Sequence, residues 1–264
     1  NGSEKTTTLA ILLGVILPNN GSFKWFNEEP SAYIRTKIGA VLEHPNFYPH
    51  LSARQNLRVV ARIKGVDDSD IPRVLSIVSL EHRASHRFKT YSYGMKQRLA
   101  IAAALLGDPQ VLILDEPTNG LDPQGIAEIR ELVMKIASRG ITIIMASHLL
   151  DEVQKICSHV AVLRTGNLLF TGRVDDMVGE TTTLELAAPD MALLHTLLSS
   201  HQELDSISFA GGKILAQFKG TADPGAINKF LFEQGVTLSH LTKRQRSLES
   251  QFLEILNNSE NPKP

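Results

Sequence analysis

Short runs of consecutive apolar residues alternate along the chain with longer stretches whose apolar positions recur every three or four residues. Val111 to Leu114 and Thr142 to Ala146 read as buried strands, and Ile38 to Leu42 is a third, shorter candidate. Strands without polar alternation that are separated by helices are typical of a parallel sheet covered on both faces. Such a sheet binds ligands at the carboxyl ends of its strands. The polar side chains that follow these runs are therefore the first candidates for a functional site.

Helices are predicted around these strands from the three-to-four residue periodicity and from Gly and Pro punctuation. In the first part of the chain they cover Thr6 to Leu17, Leu51 to Lys64, Asp70 to Val78, Gln97 to Leu106 and Gln124 to Arg139. The helices between the first and second strands predict a helical subdomain over about 44–105.

The pattern changes after Gly179, where strands and helices interleave at shorter intervals. Strands are predicted at Thr182 to Ala187, Ser206 to Phe218 and Thr237 to Thr242, and helices at Met191 to Ser199, Pro224 to Gln234 and Leu248 to Leu256. Gly211 and Gly212 predict a hairpin turn inside the second strand region. We therefore expect a core over 1–179, a small α+β appendage over 180–258 and a frayed polar tail over 259–264.

Composition narrows the classes of function. The chain has 264 residues, 42% of them hydrophobic and 21% charged, as in an ordinary water-soluble protein. Its longest apolar runs fall short of the roughly 18 residues that span a bilayer, so a membrane role needs a partner. A net charge of −1 does not predict nucleic-acid binding. The single Cys157 excludes an internal disulfide framework.

The first residues, Asn1-Gly2-Ser3-Glu4-Lys5-Thr6-Thr7-Thr8, resemble the end of a phosphate-binding loop. In such a loop the backbone amides surround phosphates, the lysine contacts the β- and γ-phosphates, and the hydroxyl of the next residue reaches Mg²⁺. The chain opens inside this motif and without methionine, so we expect it to be a fragment that lacks the preceding strand. Taken alone, the segment fits a solvated helix start equally well. The predicted nucleotide-binding residues here are Asn1, Gly2, Ser3, Glu4, Lys5, Thr6 and Thr7.

Glu4 departs from the pattern G-x-x-x-x-G-K-[ST], which has glycine immediately before the lysine. A glutamate adds bulk, is expected at backbone angles that favour glycine, and brings like charge beside the phosphates. We expect weaker ATP binding and slower hydrolysis than with glycine at this position.

Asp115 and Glu116 stand at the end of the apolar run from Val111. Asp115 is the candidate for the Mg²⁺ shell, together with Thr6, and Glu116 is the candidate general base for an attacking water. The alternative is a pair of carboxylates that simply faces solvent at a strand end.

Three further segments carry a resemblance to a known family. Thr90-Tyr91-Ser92-Tyr93-Gly94-Met95-Lys96-Gln97-Arg98-Leu99 resembles the signature motif of ABC ATPases, with Tyr93 and Met95 in place of the usual glycine and glutamine. Asn119-Gly120-Leu121-Asp122 resembles the D-loop, and Ala146-Ser147-His148 resembles the switch-histidine segment. The resemblance implies a P-loop NTPase core in which two subunits enclose two ATP molecules. Ser92, Gly94 and Asp122 would act on the partner's nucleotide, and His148 would contact the γ-phosphate and hold Glu116.

Glu43 falls where this family usually has a Q-loop glutamine that contacts Mg²⁺. Glutamate at this position resembles the bacitracin- and lantibiotic-resistance exporters, so Phe47, Tyr48 and Pro49 are expected to border the groove for a permease. An aromatic loop that packs on the helical subdomain is the alternative. The Ser-Leu-Glu-x-x-Phe stretch at Ser247 to Phe252 resembles the C-terminal extension of drug-exporter subunits.

The resemblance implies an ATP-binding subunit of an ABC transporter. It would hydrolyse ATP with Mg²⁺ as a homodimer or heterodimer and drive export of a small molecule or peptide through a separate transmembrane permease. It would lie at the cytoplasmic face of the membrane and bind no nucleic acid. The alternative is a catalytically impaired regulatory protein, which Glu4 favours. A soluble ABC protein acting on ribosomes or DNA would need a second core or a coiled-coil insertion, and the sequence has neither.

Overall fold

The structure is a computed structural model that describes residues 2–42, 44–178, 182–220, 222–244 and 247–260, without the side chains of residues 2, 3, 178, 254 and 256–260. The chain divides into two compact units. The first comprises Asn1–Ile156 with Leu163–Asn167, and the second Cys157–Val162 with Leu168–Pro264. The predicted boundary at 179/180 lies outside the described residues and stays a prediction.

A parallel sheet forms the centre of the first unit. Its strands are β1 (Ile38–Val41), β2 (Val111–Asp115) and β3 (Thr142–Ala146), in the order β1-β2-β3. All residues of β2 are buried, which explains its unbroken apolar run. The predicted parallel sheet is confirmed, and its carboxyl ends bring Val41, Asp115 and Ala146 to one edge.

The described residues of the first unit contain seven helices. They are α1 (Gly2–Leu12), α2 (Ala32–Thr36), α3 (Ala53–Lys64), α4 (Ile71–Ile77), α5 (Tyr93–Leu105), α6 (Pro123–Ala137) and α7 (Leu150–Ile156). Short 3₁₀ turns lie at Asp68–Asp70, Glu81–Arg83 and Phe88–Thr90. The predicted helical subdomain appears as α3 to α5, whose apolar faces form one buried cluster.

Helix α1 differs at both ends from the predicted Thr6 to Leu17. It begins at Gly2, so the predicted loop residues up to Lys5 are helical. It ends at Leu12 because Gly14 takes a left-handed φ of +72°. The amide of Gly14 donates to the carbonyl of Ile11, and that of Val15 to the carbonyl of Ala10, which is the Schellman arrangement. The stop signal is therefore Gly14 and not Pro18.

The capping side chains set where α5 and α6 begin. Ser92 accepts from the amide of Met95 at the start of α5, and Asp122 accepts from that of Gly125 at the start of α6. Helix α5 packs so closely on β1 that a Cβ at Gly39 would lie 2.4 Å from the carbonyl oxygen of Ala104. This contact fixes α5 against the sheet and with it the position of the signature segment.

The elements after α6 include several that the sequence pattern did not predict. Helix α7 is one, and β4 (His159–Arg164) and β5 (Asn167–Arg173) form a two-stranded sheet. The short helix α8 (Val174–Val178) follows. These segments are brief and half-exposed, so their apolar periodicity is weak.

The second unit contains a four-stranded antiparallel sheet. Its elements are β6 (Thr182–Ala187), α9 (Met191–Ser199), β7 (Leu204–Ala210), β8 (Lys213–Phe218), α10 (Pro224–Glu233), β9 (His240–Arg244) and α11 (Leu248–Glu260). The spatial order β7-β8-β6-β9 is that of a ferredoxin-like βαββαβ unit. The α+β appendage and its hairpin at Gly211 and Gly212 are confirmed, with φ values of +58° and +75°.

Several predicted bounds in this unit differ from those of the structure, and β7 begins at Leu204 rather than at Ser206. Thr237 was expected to open the last strand, but β9 begins at His240. Residues 259 and 260 were expected in the tail and lie in α11. Residues 261–264 lie outside the described part. None of the described helices is both long and apolar enough to cross a bilayer.

Candidate nucleotide-binding site

The polar side chains gather where β2 and β3 end. Asp115 is the last residue of β2 and Glu116 follows it, while His148 lies two residues beyond β3. A cleft of about 180 Å³ opens at this edge of the sheet. The residues that line it are Thr6, His44, Tyr93, Asp115, Glu116 and Asn119.

Asp115 is a buried carboxylate with one oxygen unpaired. Its residue is 2% exposed, and the hydroxyl of Thr6 donates to Oδ2 over 2.7 Å. Within the described part of the chain, Oδ1 has no hydrogen-bond partner. A buried, unpaired carboxylate oxygen is costly, and a cation satisfies it.

The donor set at Asp115 fits Mg²⁺. Proteins commonly bind this ion through one or two side-chain oxygens, and phosphate and water oxygens complete its coordination shell. Among the described residues no three His, Cys, Asp or Glu side chains converge as metal ligands. Glu43, the other predicted ligand, lies outside the described residues.

Glu116 is held by two partners. Lys5 Nζ donates to Oε1 over 2.9 Å, and His148 Nδ1 donates to Oε2 over 2.7 Å. The amide of His148 also donates to Oε2, over 3.3 Å. Partial burial raises the pKa of Glu116, but the hydrogen bonds and charges of Lys5 and His148 outweigh it and the net pKa is lowered.

The backbone of Glu116 is strained. Its φ is +47°, in the left-handed region that non-glycine residues rarely adopt. The amide still continues the sheet ladder by donating to the carbonyl of Ala146. Such strain is concentrated at functional sites, where the surroundings enforce it. The side chain on this strained backbone contacts both Lys5 and His148.

The predicted phosphate-loop residues lie in the first turns of α1. Lys5 and Thr6 reach the two carboxylates, as described above. Glu4 is helical and its carbonyl accepts from the hydroxyl of Thr8 over 2.9 Å. The expectation that Glu4 takes backbone angles suited to glycine is therefore wrong. The expected effect of its charge on ATP binding stays a prediction. Asn1 lies outside the described residues, and Gly2 and Ser3 contribute helical backbone.

The residues predicted to serve a partner's nucleotide do not line this cleft. Ser92 and Asp122 cap their helices, and a Cβ at Gly94 would have only Leu121 Cδ2 nearby, at 3.7 Å. Their predicted role stays a prediction. Sequence reasoning missed three lining residues, His44, Tyr93 and Asn119. The tyrosine in place of the signature glycine was the available signal.

A larger cavity, of about 560 Å³, lies beside the amino ends of β2 and β3, near Gln110 and Thr142. Parallel sheets bind their ligands at the carboxyl ends of strands, where loops and helix N-termini meet. The acidic cleft is therefore the better candidate, although it is smaller.

In this parallel sheet β2 ends at Asp115, Glu116 follows it, and both carboxylates are bonded by a lysine and a threonine of α1. This arrangement is that of a P-loop nucleotide-binding protein. The ABC transporter family model matches residues 1–119. The bacitracin transport ATP-binding protein BcrA of Bacillus licheniformis is 37% identical over 262 residues, which are 97% of this chain and 86% of that protein.

Two further similarities agree. The lantibiotic transport ATP-binding protein SrtF of Streptococcus pyogenes is 40% identical over 175 residues, 66% of this chain and 76% of that protein. The solved structure of cbiO1 from Clostridium perfringens, part of the ABC transporter complex cbiONQ, has a TM-score of 0.60 at 31% identity and covers 66% of this chain and 74% of its own. The chain belongs to the ATP-binding subunits of ABC transporters. It is an ATPase coupled to transport, and the regulatory alternative is not favoured.

Proposed function

We propose that the cleft at Asp115 and Glu116 binds Mg²⁺-ATP and hydrolyses it to drive export through a separate membrane permease. The observation that carries this is the unpaired Oδ1 of buried Asp115. Its other oxygen, Oδ2, accepts from the hydroxyl of Thr6 over 2.7 Å, and the next residue, Glu116, is paired with Lys5. Asp115 and Thr6 are the residues that would hold the metal, with Glu43 as a further ligand. When bound, Mg²⁺ neutralises charge on the phosphates.

Lys5 is the cation for the phosphates. Its Nζ is paired with Oε1 of Glu116 at 2.9 Å. A triphosphate carries more negative charge than one carboxylate, so it draws Lys5 away from Glu116. The helical backbone from Gly2 to Thr7 adds the positive end of the α1 dipole.

Glu116 is the general base. The pKa of its carboxyl is lowered, so it is ionised at neutral pH and able to accept a proton. Transfer of Lys5 to the phosphates removes one cause of that lowering and makes Glu116 a stronger base once nucleotide is bound. The water oxygen then attacks the γ-phosphorus, the bond to the β-γ bridging oxygen breaks and ADP leaves, while the proton passes to Glu116.

His148 keeps Glu116 in place. Its ring and its amide both donate to Oε2, so two hydrogen bonds hold this oxygen. Only Oε1 changes partners when Lys5 moves to the phosphates. We assign the contact with the γ-phosphate to the same histidine.

The subunit acts in a dimer. Ser92, Gly94 and Asp122 of one subunit complete the site that holds the partner's nucleotide, and hydrolysis reopens the pair. Tyr48 is 61% exposed just beyond Glu43, which supports a permease contact on this side of the helical subdomain. The subunit accordingly lies at the cytoplasmic face of the membrane.

The cargo class follows from the relatives. BcrA is named for bacitracin transport and SrtF for lantibiotic transport, and these proteins are 37% and 40% identical to this chain. Export of an antimicrobial peptide of this kind is the proposed role.

The test compares two histidines in the purified protein. His148→Ala is expected to lower Mg²⁺-ATP turnover by about 100-fold or more, since a positioned acid–base pair contributes about 10²–10⁴-fold. His82→Ala, which removes an exposed histidine of the helical subdomain, should leave turnover within about twofold of the parent. Equal turnover in both variants and the parent would overturn the assignment of the cleft.

A further inference from the structure

We propose that Tyr93 is a positioning residue that narrows the nucleotide cleft and must move for nucleotide to enter, acting through His44 and the loop after β2. The inference rests on the proposed function, because it concerns access to that same site. It goes beyond that function because Tyr93 stands where the family's signature motif has glycine.

The first contact of Tyr93 is a hydrogen bond across the cleft. Its hydroxyl lies 3.0 Å from Nδ1 of His44, and the two ring centroids lie 6.4 Å apart with the planes at 70°. Tyr93 is the first residue of α5, and His44 lies three residues after the end of β1. The bond therefore joins the signature helix to the segment that carries Glu43.

The second contact is made by the ring. A Cβ added at Gly120 would lie 3.5 Å from Cε1 of Tyr93, so the ring packs over the backbone of Gly120. Gly120 belongs to the loop that leads from Glu116 to Asp122, and its φ is +76°. One side chain thus contacts both segments that flank the acidic pair.

The Tyr93–His44 bond matters for nucleotide access because the cleft is small. Its volume of about 180 Å³ is below the roughly 300–1,000 Å³ of ordinary small-molecule pockets. His44 and Tyr93 are two of the six lining residues, and both have exposed surface, so they stand at its mouth. On this proposal, nucleotide entry breaks the Tyr93–His44 bond.

A bond that must break on binding weakens binding by its own net free energy. One hydrogen bond corresponds to about a twofold to tenfold change in an equilibrium constant. Tyr93→Phe keeps the ring on Gly120 and removes only this bond. We expect it to tighten Mg²⁺-ATP binding and lower KM by about twofold to tenfold, with kcat changed by less than about twofold.

Matched variants separate this role from simple packing. Tyr33→Phe removes the hydroxyl of a tyrosine that is 67% exposed and does not line the cleft, and should change neither constant. His44→Asn places an amide near the position of Nδ1 and should preserve the parental affinity. His44→Gln places it near Nε2 and should behave like Tyr93→Phe, and combining it with Tyr93→Phe should add nothing further.

Amide hydrogen exchange of the nucleotide-free protein reads the contact directly. Tyr93→Phe is expected to speed exchange in residues 44–48 and 117–121 relative to Tyr33→Phe. Unchanged exchange, or unchanged KM and affinity, overturns the inference while leaving the proposed function intact. Faster exchange in a protein that binds no Mg²⁺-ATP in any variant refutes the proposed function and, with it, this role of Tyr93.

Discussion

Two glutamates of this protein have similar neighbours and different surroundings. Glu116 is paired with a lysine and a histidine at 2.9 and 2.7 Å. Glu185, in β6, is paired with Lys213 at 2.5 Å, His240 at 3.1 Å and Arg244 at 2.6 Å. The pKa of both carboxyls is lowered, that of Glu185 to about 2 by the hydrogen bond from Lys213, which outweighs its burial, and by Arg244.

The difference lies in the backbone and in what adjoins each carboxylate. Glu185 sits in a regular antiparallel pairing, opposite Leu215 and Thr242, and its partners come from the adjacent strands β8 and β9. Glu116 has a φ of +47°, draws its partners from α1 and the end of β3, and follows the half-paired Asp115. A charged cluster therefore does not mark a site by itself. An unpaired buried oxygen and enforced backbone strain beside a cleft do.

The largest expected effect separates the two glutamates by turnover. Glu116→Gln removes the proton acceptor and is expected to lower Mg²⁺-ATP hydrolysis by about 10²–10⁴-fold. Glu185→Gln should keep turnover within about twofold of the parent. Phosphate release from both purified variants measures this, and a similar loss in both would erase the proposed distinction.

Next in size is the effect of Asp115→Asn on metal dependence. The amide still accepts from Thr6 but carries no charge for Mg²⁺. ATP affinity in the presence of Mg²⁺ is expected to fall at least about tenfold, since even outer partners of metal sites contribute about 10–100-fold. Titration calorimetry with and without Mg²⁺ measures the change, with Asp205→Asn on the exposed part of β7 as the control. Undiminished Mg²⁺ dependence in Asp115→Asn would contradict the account.

A smaller effect is expected from Glu4→Gly. It removes a carboxylate next to the phosphate lysine, and unit charges about 4 Å apart in water repel by about 1 kcal/mol. ATP affinity and turnover at subsaturating ATP should therefore rise about fivefold. Glu4→Gln keeps the bulk without the charge, and should share most of the gain. If only Glu4→Gly improves binding, bulk and not charge is the cause.

The smallest effect is confined to acid stability. The folded-state pKa of Glu185 is about 2, below its ordinary 4.5, so its ionised form stabilises the fold above about pH 4.5 and this contribution is lost as the pH falls toward 2. Glu185→Gln should be less stable than the parent at pH 7, and the gap should narrow between pH 4.5 and 2. Denaturant unfolding at several pH values, with Glu203→Gln as the control, measures it. A gap that does not depend on pH would contradict the assignment.

The sequence pattern predicts the central part of the fold because burial there is complete. The strand Val111–Asp115 is apolar up to its last residue, so both the strand and the position of the carboxylates can be predicted from the sequence. Helix α9 matches its predicted bounds, Met191–Ser199. Half-exposed elements such as β4, β5 and α7 lack that contrast and were missed.

The candidate site is predictable where chemistry follows a motif and not where it depends on folding. Up to 143 positions separate the site residues Lys5, Thr6, Asp115, Glu116 and His148. From the sequence, only the motif resemblance assigns them to one site, and the fold then brings them together at the edge of the sheet. The unpaired Oδ1 of Asp115 and the Tyr93–His44 bond depend on side-chain packing, which periodicity does not encode. The left-handed backbone conformation of Glu116 likewise cannot be predicted from the sequence pattern.

The central claim is that the Asp115 and Glu116 cleft holds the metal and nucleotide. Its most direct test is a crystal structure of the Glu116→Gln protein with ATP and Mn²⁺, in which anomalous scattering locates the metal ion. The account predicts one metal peak bonded to Asp115 Oδ1 and Thr6 Oγ1, with the phosphates on Lys5. Metal and nucleotide bound elsewhere on the chain, with Asp115 still paired only to Thr6, would contradict it.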